Sequence, residues 1–464
     1  MSSKRVYLSF AAMGCAAIVS TPAFAANDAM MELLKVLKDQ GTISEEAYEQ
    51  LKGAAKADDE QNTAGQSEIK AAAQNLPKIE TKGKLEWGTP DGEFNWRLGG
   101  RIHLDTAFYD NDNGTTLTDG TDIRRARIEV NATLWRNWLF KFGYDFGGTT
   151  EVAEGFRDML VGYKLKAPWP VTFTAGQFKE YYGLESLTSS NDTTFMERAM
   201  PSRLFHDFAE GSDGRRIGFG ISTFGHDLWT ASLGVFGKNA AEADGSGSDD
   251  DLEDPLVFNG RLTVAPIHTE KTVAHLGFAG SWIDAQDSSR VRFRARPDAR
   301  VGADRLVDTG TIVGSDEVGR YGVEAAGIYG PFSLQGEYLH ADVSRAGLSD
   351  VGFDGWYVFA SWVLTGESRG YEFEQGVFKN PKPYGIVGKG GIGAWELALR
   401  YDGVDLTDED IEGGSEENFT AGVNWYPTPN YKFMFDYVHV LDIDGGDFDG
   451  ANPNVFEFRA QAYW

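Results

Sequence analysis

The stretch "IRRARIEVNATLW", residues 123–135, decides the fold. Ala126, Ile128, Val130, Ala132 and Leu134 fall on one side of an extended chain, while Arg125, Arg127, Glu129, Asn131 and Thr133 fall on the other. That is a period of two, the signature of a strand with one apolar and one polar face. Just upstream, "NWRLGGRIHLDTAFY" (95–109) repeats it, with Trp96, Leu98, Ile102, Leu104 and Phe108 opposite Arg97, Arg101, His103 and Asp105.

Such segments recur at 95–109, 122–135, 138–147, 156–166, 171–179, 214–224, 228–237, 256–266, 272–284, 318–330, 332–342, 353–367, 394–403, 417–426, 430–440 and 454–464. An even set of about sixteen suits a closed bacterial outer-membrane barrel. A soluble sandwich shows the same period, so the connections decide. With the N-terminus inside, the inner turns are short: Arg136-Asn137, "APWP" from 167, "GHD" from 225, Gly330-Pro331 and "PTPN" from 427. The outer loops include the long stretches 180–213, 238–255 and 285–317, and this alternation is the barrel pattern. The inner connection 368–393 breaks it by its length. Trp138, Tyr163, Trp169, Trp425, Tyr426 and Tyr431 sit at strand ends, as interfacial girdles require. The final "VFEFRAQAYW" places Phe456, Phe458, Ala460, Ala462 and Trp464 on one face, like the terminal assembly strand of such barrels. The expected fold is all-β, a sixteen-stranded antiparallel transmembrane β-barrel with a short N-terminal helical periplasmic segment.

The start of the chain fits that destination. Lys4 and Arg5, an apolar run from Val6 to Val19 and the triplet Ala23-Phe24-Ala25 read as a secretory signal peptide over 1–25. A lipidated Cys15 is the alternative, but the residues before it lack the usual leucine; cleavage after Ala25 leaves no cysteine. No later stretch of about twenty continuous apolar residues offers a helical span. Residues 26–76 read as a periplasmic helical hairpin and linker: Met30, Leu33, Leu34 and Leu37 have helical spacing, Gly41 breaks it, and Ser44 before Glu45 and Glu46 caps a second helix. "ADDEQNTAGQSE" (57–68) reads as its polar linker. The barrel domain is then 77–464.

Chemistry of other kinds finds little footing. The seven histidines show no metal-ligand spacing, and neither a G-x-S-x-G elbow nor a phosphate-binding P-loop occurs. No enzyme activity, cofactor or nucleic-acid partner is expected; a barrel enzyme and a structural anchor are the competing classes.

Charge poses a puzzle. The chain carries net charge −27, yet "DSSRVRFRARPDARVGADRL" (287–306) sets Arg290, Arg292, Arg294 and Arg296 at every second position, with Arg300 and Arg305 behind. In an extended segment these arginines share a face. Strand parity also points Arg97, Arg101, Arg125, Arg127, Lys141, Lys164, Arg216 and Arg261 inward on the first eight strands, against Asp105, Glu129, Asp145 and Asp158. On the last strands the inward set is mixed: Glu324, Glu337, Glu396, Asp402 and Asp436 against Arg400, Lys432 and Arg459. The acid surplus falls to outer loops, "EADGSGSDDDLED" (242–254) and "DLTDEDIEGGSEE" (405–417), read as solvated charge rather than calcium sites. A basic lumen under an acidic rim resolves the puzzle.

"TDIRRARIEVNATLW", "FKFGYDFGG", "FRDMLVGY", "AGQFKEYYGLESLTSSNDTTFMERA", "FASWVLTGESRGYEFEQGVF" and "GAWELALRYDGVDL" occur in an order that resembles the phosphate-selective porin O/P family. The resemblance covers 93–464. It implies a homotrimeric channel in the outer membrane of a Gram-negative bacterium, passing phosphate or polyphosphate, narrowed by infolded loops and bordered by lipopolysaccharide. It further implies an anion-binding constriction from Arg101, Arg125 and Arg198, with Arg127 on the same inward face as Arg125 and Asp158 beside the ring. Arg290, Arg292, Arg294 and Arg296 resemble a loop dipping toward that ring, and Lys379 and Lys389 resemble vestibule lysines. Ion pairing within the barrel is the alternative for Arg124, Arg125 and Arg127, surface lipopolysaccharide binding for the ladder, and a general or organic-anion porin without phosphate selectivity for the channel.

Overall fold

A computed structural model describes residues 23–464 apart from 75–76, 81–84, 149–154, 207–213, 239, 241–254 and 286–290. The signal peptide before Ala23, the acidic loop 242–254 and Arg290 therefore lie outside the described residues. The chain divides into two compact units, 1–76 and 77–464.

The first unit contains α1 (Ala23–Asp39) and α2 (Glu45–Gln74). The Ser44 hydroxyl accepts the Ala47 N–H at 3.2 Å, the capping expected of a serine ahead of two glutamates. The stretch 57–68, expected as a linker, continues α2. Its alanines and glutamates favour helix, and its polarity alone does not end one. No described helix is long and apolar enough to cross a membrane.

The second unit holds sixteen barrel strands among the described residues. They are β1 (Asn95–Asp110), β2 (Gly120–Leu134), β3 (Trp138–Asp145), β4 (Phe156–Leu165), β5 (Val171–Lys179), β6 (Arg215–Gly225), β7 (Trp229–Phe236) and β8 (Leu256–His268). The second half is β9 (Thr272–Asp284), β10 (Ser315–Tyr329), β11 (Phe332–Arg345), β12 (Val351–Val363), β13 (Ala394–Asp408), β14 (Ile411–Thr428), β15 (Tyr431–Asp444) and β16 (Asn454–Tyr463). Each pairs antiparallel with the next, and β16 returns to β1, from Asn454 opposite Asp110 to Tyr463 opposite Arg101. The ring has no free edge, so its wall satisfies its own backbone in lipid.

Burial follows the alternation. On β11 Phe332, Leu334 and Tyr338 are exposed outward while Ser333, Gln335 and Glu337 are buried inward. An apolar exposed face and a polar buried one invert a soluble protein, and lipid is the solvent that makes both stable. Aromatic pairs mark the strand ends nearest the inner turns, among them Trp138–Tyr163 at 5.1 Å and Trp395–Trp425 at 5.6 Å between ring centroids. Tyr426, expected in that girdle, turns inward and its hydroxyl donates to Glu396 at 2.7 Å. Trp425 already takes the outward position, so its neighbour cannot.

Two expectations fail in instructive ways. The acidic stretch 405–417 is not a loop: β13 and β14 run on and meet across Glu409-Asp410. Alternation persists there, with Val404, Leu406 and Glu416 buried, and the other acids occupy outward positions that composition cannot separate from a loop. A short hairpin, Lys78–Glu80 with Leu85–Gly88, pairs below β1 against Asn95–Leu98 and was not read from sequence. Its strands are too brief for periodicity to show.

Closure depends on a glycine. Gly100 and Trp464 exchange backbone hydrogen bonds at 3.2 and 3.1 Å, and a Cβ on Gly100 would stand 2.4 Å from the Trp464 ring and 2.8 Å from the Arg127 carbonyl. Gly100→Val should therefore disturb the final pairing of β16 with β1, because the Trp464 ring must swing away and the Arg127 carbonyl cannot yield without moving backbone. The expected result is loss of the heat-modifiable folded band on electrophoresis, with Gly319→Val, at a strand position with open space and no positive φ, tested alongside as the milder change.

Candidate functional site in the barrel lumen

Among the described residues three connections fold into the barrel: L3 (described over 180–206), L5 (described over 291–314) and the inner connection T6 (364–393). L3 carries two short helices, Leu184–Leu187 and Met200–Leu204, and is clamped through its backbone to the wall of β10–β16. Leu184 and Glu185 donate their N–H groups to Glu337, each at 2.7 Å, Met196 donates to Asp436 at 2.7 Å and Met200 to Asp402 at 3.3 Å. In the other direction Lys432 donates to the Thr193 carbonyl at 2.6 Å, Asn424 to Thr194 at 2.8 Å and Arg400 to Glu197 at 3.0 Å. The inward carboxylates of the last strands therefore serve as acceptors for a buried loop that has no ladder of its own, as buried backbone demands.

L5 lies against L3 and the same wall. Val291, Phe293 and Ala295 are buried in the apolar cluster with Leu204 and Phe205 of L3 and Phe353 of β12. The Phe293 ring is 5.9 Å from Phe205 and 5.3 Å from Phe353. The alternating partners Arg292, Arg294 and Arg296 are half-buried and turned away from that cluster. Over 291–296 burial alternates, Arg294–Ala295 pairing with Val307–Asp308, with the apolar side on the wall and the half-buried arginines on the other side. The segment is folded inside the barrel, not displayed on the rim. Asp298, at φ 52°, reaches Arg400 at 2.7 Å, and the Thr118 N–H donates to the Gly302 carbonyl at 3.0 Å, carrying the loop across to the β1–β2 side.

The ring residues are present but engaged. Arg101 donates to Ser190 at 2.9 Å and pairs with Glu129 at 2.9 Å. Arg125 is buried, with His103 at 3.4 Å, and Arg127 pairs with Asp145 at 2.9 Å. Arg198 donates to the carbonyls of Glu185 (2.9 Å) and Thr188 (2.8 Å), stapling L3 to itself. Asp158 takes Arg215 at 2.7 Å and also Lys141. Arg292 is paired with Asp308 at 2.6 Å, its side chain still 39 % exposed, and Arg296 donates to the Ala303 carbonyl at 2.9 Å.

T6 closes the lumen from the inner side. Its small hairpin, Gly370–Glu372 with Val377–Lys379, is gripped by Arg261, which donates to the Gln375 and Gly376 carbonyls at 2.9 Å each, and by His275 against the Tyr371 hydroxyl at 2.8 Å. Its far end meets L3, where Asn380 donates to the Asn191 carbonyl at 2.5 Å. Lys379 sits here beside Glu372 (2.7 Å) and Asp192 (3.5 Å); burial draws its pKa down, but these carboxylates outweigh it and hold the ammonium charged. Lys389 is exposed farther along T6 and does not join this cluster.

Sequence reasoning missed the densest group of charge. A β-bulge between His103 and Leu104 on β1 leaves Arg124 as the extra residue of β2, so Arg124 and Arg125 both turn inward where strict alternation allows one. Arg124 grips Glu197 of L3 with two bonds, 2.8 and 3.0 Å, and Glu197 also holds Arg459 at 2.9 Å and Arg203 at 3.6 Å. Arg300 of L5 completes the group; its pKa is pressed below the ordinary guanidinium value first by Arg124, then by burial and by Arg203 and Arg296. "RRAR" announced the arginines but not the bulge.

A closed lipid-facing barrel of sixteen antiparallel strands with loops folded into its lumen from both sides is an outer-membrane porin, a channel and not an enzyme, of a Gram-negative cell envelope. The chain belongs to the family described as Phosphate-selective porin O and P, which it matches over residues 97–464. It is 31 % identical over 408 residues to Porin O of Pseudomonas aeruginosa, covering 80 % of this chain and 90 % of that one. Among solved structures it is similar in fold to the outer-membrane protein OmpT of Vibrio cholerae, with a TM-score of 0.51 at 12 % identity over 80 % of this chain and 98 % of that chain. It is likewise similar to OprB of Pseudomonas putida, with a TM-score of 0.50 at 10 % identity over 81 % and 95 %.

Proposed function

We propose that this porin is a phosphate-selective anion channel. The observation that carries the reading is the two-sided L5 segment: Val291, Phe293 and Ala295 anchor it in the wall cluster, leaving Arg292, Arg294 and Arg296 to line the outer passage. Guanidinium forks replace the hydration a phosphate loses on entering, and several in succession share the ion so that no single site traps it. Below them Arg203 and Arg300 meet the ion at L3, with Arg101, Arg124, Arg125, Arg127 and Arg198 setting the positive potential from behind. Asp158 moderates that potential, and Lys379 and Lys389 receive the ion at the inner mouth. The family membership supports phosphate as substrate and a homotrimer as the assembly, with lipopolysaccharide surrounding the outer rim.

Planar bilayers test this directly. Purified protein should give reversal potentials of anion selectivity under a salt gradient, and a phosphate current that saturates at lower concentration than the chloride current. Cation selectivity, or phosphate and chloride currents saturating alike, would defeat the phosphate reading.

A further inference from the structure

The Glu197 carboxylate is buried in the narrow part of the lumen, within reach of Arg124, Arg459 and Arg203. Its backbone is fixed on both sides: Met196 donates to Asp436, Met196 accepts from Arg459, and Ala199 donates to Glu185 at 3.0 Å. Burial opposes its charge, but the ion pair and hydrogen bonds of Arg124 hold the carboxyl well below the usual range, so it is ionised at neutral pH. The three guanidiniums differ in what else they hold. Arg459 has two bonds to Asp105, at 2.7 and 2.6 Å, and Arg124 is bidentate on Glu197 itself. Arg203 makes a long 3.6 Å contact with its side chain 39 % exposed.

We propose that Glu197 is a specificity-determining counter-ion that competes with the permeating anion for Arg203 and the adjoining Arg300, so that phosphate is released from the constriction rather than held there. Arg203 turns from Glu197 to the arriving oxyanion and back as the ion departs. The tightly paired Arg124 and Arg459 keep Glu197 in place while this happens. A channel that bound its ion with unopposed arginines would gain affinity and lose flux, since conduction requires binding weak enough to leave. This inference rests on the phosphate-channel reading above.

Single-channel phosphate current against concentration, for wild type, Glu197→Gln and Arg203→Gln, tests both levels separately. Folding is checked first by heat modifiability. Removing one carboxylate charge a few ångströms from the ion should lower the half-saturating phosphate concentration on the order of tenfold. The plateau current should fall with it. A loosened L3 would move both quantities the other way, so the paired decrease is specific to lost competition. Arg203→Gln should raise the half-saturating concentration several-fold without lowering the plateau, and this variant decides the matter if Glu197→Gln does not fold. Wild type that shows no phosphate saturation would refute the channel reading; saturating wild type with unmoved half-saturation in either folded variant would refute the counter-ion role alone.

Discussion

Converting Arg292, Arg294 and Arg296 together to Gln should raise the half-saturating phosphate concentration on the order of tenfold while changing the maximal current less than about twofold. The three side chains share the face of L5 opposite its buried Val291, Phe293 and Ala295, so they act on the ion before it reaches L3. Their work is capture: a row of charge at the mouth concentrates anions, and the narrower passage below sets the flux. Gln keeps the stem and some hydrogen bonding, which spares the packing. The ionic-strength dependence of capture should weaken too, because distant attraction is screened over about 8 Å at physiological salt. Loss of lipopolysaccharide binding with phosphate capture intact would instead place the ladder at the membrane surface, against its burial within the wall cluster.

Arg400→Met should have a second large effect, on the bore itself. Arg400 pairs with Asp298 of L5 at 2.7 Å and with Asp402 at 3.3 Å, donates to the Glu197 carbonyl of L3 at 3.0 Å, and lies 4.5 Å over the Phe195 ring. One guanidinium thus holds both outer loops to β13. Removing it leaves two carboxylates buried without their cation, a loss of about 3–5 kcal/mol. The loops should respond by leaving the wall, giving several-fold higher conductance in potassium chloride and a weaker preference for anions. Arg345→Met breaks an ion pair with Asp410 at the rim and should change neither. Equal effects from the two substitutions would contradict a latch at Arg400.

The wall was legible because its rule is local. Successive residues of a strand face opposite ways, so Leu334 out and Gln335 in can be read without knowing what lies beyond. The ladder was legible for the same reason: "VRFRAR" alternates, and the structure uses both of its faces. What escaped depended on distant partners or on breaks in the rule. The bulge at Arg124 shifts one residue without any mark in "IRRARIEV", and Glu197 sat unremarked beside Arg198 because its meaning comes from Arg124 and Arg459, 73 and 262 residues away. The inward arginines and the inward Glu129 and Asp145 were both read from alternation, but not which pairs with which, since Arg101–Glu129 and Arg127–Asp145 depend on the register of neighbouring strands. Acidic composition misled at 405–417, where the strands continue and all but the buried Glu416 of these acids stand on the outer side of a sheet instead of in a loop.

The backbone clamp on L3 has a consequence for the order in which the channel is made. Glu337, Asp402, Asp436 and Arg459, which hold residues 184–200, follow them in the chain by between 152 and 263 positions. When L3 leaves the ribosome and crosses the inner membrane, the half of the barrel that receives it has not been synthesised. Contacts so far apart in sequence form late, because the intervening chain must be closed first. Before the C-terminal strands arrive the loop has earlier partners in Arg101, Arg124 and its own Arg198, and β16 pairs with β1 last in sequence. The same C-terminal strands that complete the wall thus carry the side chains that hold L3 within it.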